Sequence, residues 1–299
     1  LYASQVRALG LAHLLQALGY EVIVMGKFLT PPQKSSRPTG VLVEGVCCRN
    51  IRLPIEGKRC AGYESSSEPL MQVVDEQGAH RVRAVICYNY PARGAWSTIR
   101  QARQRGIATV LDCTEWYGWE GRGVLRNLWR LTGVEVRMRV LTRLAGNVIC
   151  VSSWFQSRVQ SLHTLLMPFV IDTRLAKWQR EPNASEREPV HLVYSGSPGL
   201  GMHKDRLPIA ISALSRLVQE GHDFKFSIAG ITLAQYLEVA PGHRRHLKVL
   251  GHRLQFLGRV THVESLELLR SADFSVFFRK PNRVSNAGFP TKLVEALTL

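Results

Sequence analysis

Two stretches of the sequence set glycines beside cations. The first is Ser195-Gly196-Ser197-Pro198-Gly199-Leu200-Gly201-Met202-His203-Lys204-Asp205, lying between a strand-like and a helix-like run. Glycine lets the backbone come close to a ligand, and a helix N-terminus attracts anions. Lys204 adds a full positive charge, so a phosphate group suits this loop. It has neither the Lys-Ser/Thr pair of a Walker loop nor the third glycine of a dinucleotide fingerprint. Taken alone it reads equally as a flexible turn with a solvated lysine. The second stretch is Arg279-Lys280-Pro281-Asn282-Arg283-Val284-Ser285-Asn286-Ala287-Gly288-Phe289-Pro290-Thr291-Lys292-Leu293-Val294-Glu295. Basic residues precede Gly288, and Pro290 suits a first helical turn. Open α/β sheets bind ligands at the C-terminal ends of their strands. Two such loops in one domain could clamp a diphosphate. Glu295, one turn into the helix, could accept hydrogen bonds from ribose hydroxyls or could be a plain helix-surface residue.

Other titratable groups are less telling. Asp112 and Glu115 follow an apolar run and could face a cleft as a general base, or serve as loop and cap residues. His163 and His203 are assigned no role. Cysteines stand at 47, 48, 60, 87, 113 and 150, with no C-x-x-C pair and no metal-site spacing. Cys87, Cys113 and Cys150 fall in apolar runs and read as small buried hydrophobes, which fits a reducing, cytoplasmic compartment. No metal and no cofactor is expected.

The net charge of +16 is uneven: residues 1–180 hold 24 Lys+Arg against 12 Asp+Glu, and residues 181–299 hold 15 against 11. The excess could serve nucleic acid, an anionic membrane or an acidic substrate. Arg122, Arg126, Arg130 and Arg137 share one arc if residues 122–143 are helical, with Trp116, Trp119 and Trp129 nearby. Such a segment suits an anionic membrane surface or an acceptor. Alternatively it is a solvated helix face over core-facing Leu and Trp. Gly133 weakens a single continuous helix.

These residues need a scaffold of alternating strands and helices. Helix-like spacing covers Gln5–Leu18, Trp96–Arg105, the start at Trp154–Gln160, Leu207–Val218, Val263–Ser271 and Thr291–Leu297. Strand-like runs cover Glu21–Met25, Arg83–Tyr88, Ala108–Leu111, Asn147–Val151, Val190–Tyr194, Phe224–Ala229, Gln255–Leu257 and Phe274–Phe278. The alternation predicts an α/β protein with parallel sheets. Polar residues around Pro182 and Pro189 suggest a linker over 173–189. It would separate an N-terminal domain (1–172) from a C-terminal one (190–299). The chain begins at Leu1 and stops at Leu299 in a helix-like run, so both domains are expected to be cut short.

In order along the chain come the Gly-rich loop with Lys204, Gly258-Arg259-Val260, Ala272-Asp273-Phe274-Ser275, and Gly288-Phe289-Pro290-Thr291-Lys292 with Glu295. This set resembles the donor domain of retaining GT-B glycosyltransferases of family four, especially bacterial enzymes of capsule and surface-polysaccharide assembly. Tyr88-Asn89-Tyr90-Pro91, Leu111-Asp112-Cys113-Thr114-Glu115-Trp116-Tyr117, Asn147 to Ser153 and Met167-Pro168 resemble the acceptor domain of the same group. The resemblance implies two Rossmann-like domains facing each other across a cleft. It further implies transfer of a sugar from a nucleotide sugar to a glycan or lipid-linked acceptor. By the same resemblance, Lys204 neutralises the diphosphate, and backbone near Gly196, Ser197, Gly288 and Phe289 cradles it. Thr291 and Lys292 belong to that motif, Glu295 holds the ribose, and Val260 meets the base. The sequence departs from the family at Ala287, where a glutamate is usual, and at Ser197, where an arginine is usual. Arg279 or Arg283 could replace the missing charge.

The competing functions are a sugar-nucleotide epimerase of the same fold, a ligand-binding relative without turnover, and a basic nucleic-acid-binding protein. The sequence holds no zinc finger, RNP motif or KH loop for the last. The expected location is cytoplasmic, peripheral on the inner face of the membrane.

Overall fold

The computed structural model describes residues 3–26, 40–50, 66–118, 123–179, 189–202 and 204–299, with backbone alone for Ala3, Asn50, Arg126 and Leu200. The polar 27–39 stretch, Cys60, Trp119, Arg122 and His203 lie outside the described residues. Contacts divide the chain into two units. One holds Ile171–Ser285 and Pro290–Leu299, and the other holds Ser4–Val170 and Asn286–Phe289.

In the N-terminal unit, α1 (Ala3–Ala17) packs on a small sheet of order β1-β3-β2, formed by β1 (Ile23–Gly26), β2 (Val41–Val43) and β3 (Val46–Asn50). The main sheet of the unit is fully parallel, of order β4-β5-β6-β7. Its strands are β4 (Ala84–Tyr88), β5 (Ala108–Cys113), β6 (Asn147–Cys150) and β7 (His163–Leu166). The first three are apolar runs, as strands covered on both faces must be. Cys87, Cys113 and Cys150 are buried among them, and burial pushes each thiol up to about 12. β7 is exposed throughout and reads as no strand in the sequence.

Helices α2 (Glu68–Gln77) and α3 (Ala92–Gln104) precede β4 and β5. Between β5 and β6 runs α4 (Val124–Val136), which passes Gly133 unbroken and widens into a π-turn at Arg137–Leu141. It ends in α5 (Thr142–Ala145). The core takes Val134, Met138 and Leu141 from this segment. Beyond β6, α6 (Ser153–Gln156) is only four residues long.

The C-terminal unit is one parallel sheet of order β10-β9-β8-β11. It comprises β8 (Val190–Ser195), β9 (Phe224–Ala229), β10 (Leu254–Gly258) and the short β11 (Phe274–Ser275). Its helices are α7 (Leu207–Gln219), α8 (Leu233–Val239), α9 (Arg244–Leu250), α10 (His262–Arg270), α11 (Arg283–Ala287) and α12 (Thr291–Thr298). Thr232 and Thr261 cap α8 and α10, each in a reciprocal box with Gln235 and Glu264. The strand order reverses between β8 and β11, because the chain runs from β8 outward to β10 and then returns to the other side of β8. Such a reversal opens a crevice at the C-terminal ends of the two flanking strands.

Candidate active site

Three glycines stand where β8, β9 and β10 end. Gly196, Gly230 and Gly258 all have positive φ, which a side chain resists. Gly230 is the most constrained. A Cβ there would lie 2.3 Å from the Gly196 carbonyl oxygen, while its N–H donates to the Gly258 carbonyl at 2.6 Å. The sheet edge is therefore bare backbone.

The loop after β8 closes on itself. The N–H groups of Lys204 and Asp205 both donate to the Pro198 carbonyl, at 3.1 and 3.2 Å. Arg206 N–H reaches across to the Phe278 carbonyl beyond β11 at 2.8 Å. Asp205 is thereby fixed, wholly buried, between the two loops singled out in the sequence. Its carboxylate accepts hydrogen bonds from Lys292 Nζ at 2.5 Å, Arg279 Nε at 2.7 Å and the Tyr194 hydroxyl at 2.9 Å. Lys292 Nζ also lies 4.2 Å from the centre of the Tyr194 ring and 3.0 Å from where a Gly196 Cβ would stand.

Charge explains how this cluster holds together. Burial opposes the charge on Asp205, yet Lys292 and Arg279 outweigh it and hold the carboxyl below its usual range. Burial beside that carboxylate pushes the Tyr194 hydroxyl up, so it stays protonated and donates. Burial brings Lys292 from its ordinary 10.5 down to about 8. Asp205 pulls the other way, and the charges of Arg279 and Lys204 add to the fall. Lys204 itself is exposed at the rim. Lys204, Arg279 and Lys292 thus surround one acid, leaving about two uncompensated positive charges at the crevice. A diphosphate diester carries the matching pair of negative charges.

Glu295 lies three residues beyond Lys292 on α12, hence on the same helix face. It is not a surface residue: it is buried and paired with His262 Nε2 at 3.2 Å. The His262 ring packs edge-on to Trp178, which is buried although it falls in the stretch read as a linker. Val260 is half-buried just beyond β10, two residues before His262. Ser197 is exposed, with its hydroxyl facing the Gly199 N–H of its own loop at 3.4 Å. Gly288 and Phe289 belong to the short stretch that groups with the N-terminal unit, where Ala287 joins the core. Thr291 opens α12.

Gly196, Lys204, Arg279 and Lys292 therefore converge, with Glu295 one helical turn away. Asp205 and Tyr194 were not singled out as site residues. The signal for Asp205 was an acid next to Lys204 in a loop whose partner loop is basic. Its pairings span 74 and 87 residues, beyond the reach of local pattern.

Asp112 and Glu115 belong to the other unit. Asp112 is fully buried and held by Arg7 through Nε–Oδ2 at 2.8 Å and Nη2–Oδ1 at 2.6 Å. Arg7 also donates to the carbonyls of Met167 and Pro168, at 3.3 and 3.1 Å. A carboxylate with both oxygens engaged in the core cannot act as a general base, so Asp112 is an anchor. Glu115 is half-buried, and its carbonyl accepts from Arg137.

The basic segment also reads differently in three dimensions. Arg137 is buried and faces no partner surface, correcting its expected contact with membrane or acceptor. It donates to the carbonyls of Asn89 at 2.6 Å and Tyr90 at 3.3 Å, beyond the end of β4. Those carbonyls have run out of ladder partners, and a guanidinium supplies several donors at once. Arg130 is half-buried, donating to the Gly118 carbonyl at 2.6 Å over the Tyr117 ring. Trp129 is 86% exposed. Part of the basic arc turns inward, and part of the expected core-facing apolar arc turns out.

No protein-family model matches the sequence, and no curated protein matches it. Solved structures do. HepE from Anabaena in complex with UDP-glucose is 15% identical, with a TM-score of 0.49 over 77% of this chain and 60% of that one. This chain thus spans less than two thirds of that protein's length. Sucrose-phosphate synthase from Thermosynechococcus elongatus is 17% identical, with a TM-score of 0.61 over 98% of this chain and 72% of that one. The α,α-trehalose 6-phosphate synthase from Burkholderia multivorans is 9% identical, with a TM-score of 0.57 over 97% of this chain and 75% of that one. The last two likenesses establish the fold, and at such identities the fold alone.

Proposed function

We propose that this chain, which has the GT-B architecture of two Rossmann-like domains, is a glycosyltransferase taking a nucleotide-sugar donor at the crevice between β8 and β11. One observation carries this reading. Lys292 and Arg279, braced by the buried Asp205, present surplus positive charge over a bare glycine edge at the point where strand order reverses. Lys292, Arg279 and Lys204 receive the diphosphate, Gly196 lets it approach the backbone, and the carboxylate of Glu295 takes the ribose hydroxyls. Val260, beyond β10, lies toward the base, and Thr291 opens the helix that carries Lys292 and Glu295.

In the reaction the bond from the anomeric carbon to the diphosphate oxygen breaks. Its electron pair leaves with the diphosphate, and the acceptor hydroxyl oxygen forms the new bond as its proton passes to the departing diphosphate oxygen. Negative charge grows on the departing diphosphate, where fixed cations stabilise the transition state more than the ground state. The acceptor is a glycan or lipid-linked sugar in polysaccharide or glycoconjugate assembly, and transfer retains anomeric configuration.

Thermal unfolding against UDP-, GDP-, dTDP- and ADP-sugars tests the proposal. One nucleotide sugar should stabilise the protein selectively, by about 2.7 kcal/mol at a hundredfold excess over Kd. Lys292→Ala should abolish the shift. No shift with any nucleotide sugar in a folded sample refutes the donor site. Formation of the epimeric sugar without acceptor would favour a sugar-nucleotide epimerase instead.

A further inference from the structure

We infer that the outer face of the N-terminal unit formed by α3 and α4–α5 docks on an anionic lipid surface. This inference stands apart from the donor site and uses none of its residues. Leu125, Trp129, Val136, Val140 and Leu144 recur at helical spacing along the segment from Val124 to Ala145, and all are exposed. Leu125 is 83% and Trp129 86% exposed, with Val124 and Leu128 exposed beside them. The opposite side supplies Val134, Met138 and Leu141 to the core, so the outward apolar stripe is surplus to folding. Contiguous exposed apolar surface of this kind marks an interaction site.

Topology places α3 alongside. Strands β4, β5 and β6 are adjacent and parallel in chain order, so right-handed crossovers set α3 and α4–α5 on one side of the sheet. Arg103 of α3 donates to the Leu144 carbonyl of α5 at 2.7 Å, joining the two. The outward positions of α3 are Arg93, Trp96, Arg100 and Arg103, all exposed. On the other segment Arg139 and Arg143 are exposed among the apolar residues. Glu135, the acid within the stripe, is engaged by Arg139 and the Trp116 indole N–H, at 2.8 and 3.1 Å.

Two outward tryptophans with leucines and valines, rimmed by arginines, match what an anionic bilayer interface binds. Indoles and aliphatic chains enter the headgroup–acyl boundary, and guanidinium groups meet lipid phosphates. A protein partner or second copy would find no acidic complement on this basic face. Among the described residues no helix is long and apolar enough to cross a membrane.

Vesicle co-sedimentation without nucleotide tests this. The native chain should bind vesicles of about 30% phosphatidylglycerol in phosphatidylcholine, bind pure phosphatidylcholine far less, and release as salt rises. Leu125→Ser/Trp129→Ser should weaken binding at least about tenfold with the melting temperature unchanged, since both side chains are exposed. Arg139→Glu/Arg143→Glu should do the same through charge. Absence of binding, or binding untouched by both double variants, overturns the inference. So does light scattering that shows a dimer lost in Leu125→Ser/Trp129→Ser, because the occupant is then a second copy.

Discussion

Lys292 gives donor binding a pH dependence that its position dictates. The free protein holds this lysine at about 8, because burial penalises its charge more than Asp205 rewards it. A bound diphosphate adds two negative charges next to Nζ and raises that value well above the assay range. Binding is then coupled to proton uptake: strongest below pH 8 and lost as pH rises through it. Between pH 7 and pH 9 the protonated fraction of a group titrating at 8 falls from about nine-tenths to about one-tenth. The diphosphate keeps its two negative charges throughout, so affinity should fall about tenfold, or about 1.4 kcal/mol, through Lys292. Calorimetry in two buffers of different ionisation enthalpy measures this directly, with uptake of about half a proton at pH 8. Lys292→Arg stays charged and should bind with a flat profile. A flat profile for the native protein, or the same slope in Lys292→Arg, refutes the reasoning.

Other perturbations follow from the same geometry. Asp205→Asn leaves two half-buried cations facing each other and should lower stability to urea by about 2–4 kcal/mol, a loss of under about 1 kcal/mol contradicting its bracing role. Lys292→Met removes a charge that the folded state disfavours below pH 8, so the melting temperature should hold or rise while donor binding disappears. Gly230→Ala forces a methyl group onto the Gly196 carbonyl at a φ of +109° and should cost about 1–3 kcal/mol by chemical unfolding. Arg7→Leu strands the buried Asp112 charge and should cost about 3–5 kcal/mol, whereas Arg7→Leu/Asp112→Leu should recover much of that loss.

The sequence made the scaffold largely legible where burial is two-sided. Strands β5, β6, β8 and β9 are apolar runs between turn residues, and pattern alone locates them within a residue or two. Strand β7 was invisible because it is exposed and polar at His163 and Thr164, and only its pairing with β6 makes it a strand. β11 is shorter than the run from Phe274 to Phe278, since after the Val276 N–H, which still donates to the Val193 carbonyl at 2.8 Å, the chain turns toward the Arg279 loop. Glycine and lysine placement located the cation site, because bare backbone and charge leave local marks. The carboxylate that organises it left only an acid beside Lys204, since Arg279 and Lys292 reach it by chain closure. The Arg122–Arg137 arc misled for a related reason. Helical periodicity says which residues share a face, and the surroundings decide which face turns inward.

The clasp of Arg7 on Asp112 and on the carbonyls of Met167 and Pro168 ties the beginning of the unit to its last residues. On a ribosome, α1 emerges ahead of β5 and of residues 167–168, and its guanidinium must wait for some 160 further residues before all its acceptors exist. Sequence separations of 105 and 160 residues place this closure late on any folding route. Until then Asp112 has no built counter-charge and the parallel sheet holds an unfinished interior. Nascent chains should therefore be vulnerable over a long window of synthesis, and chaperone engagement should end when residues 167–168 become available.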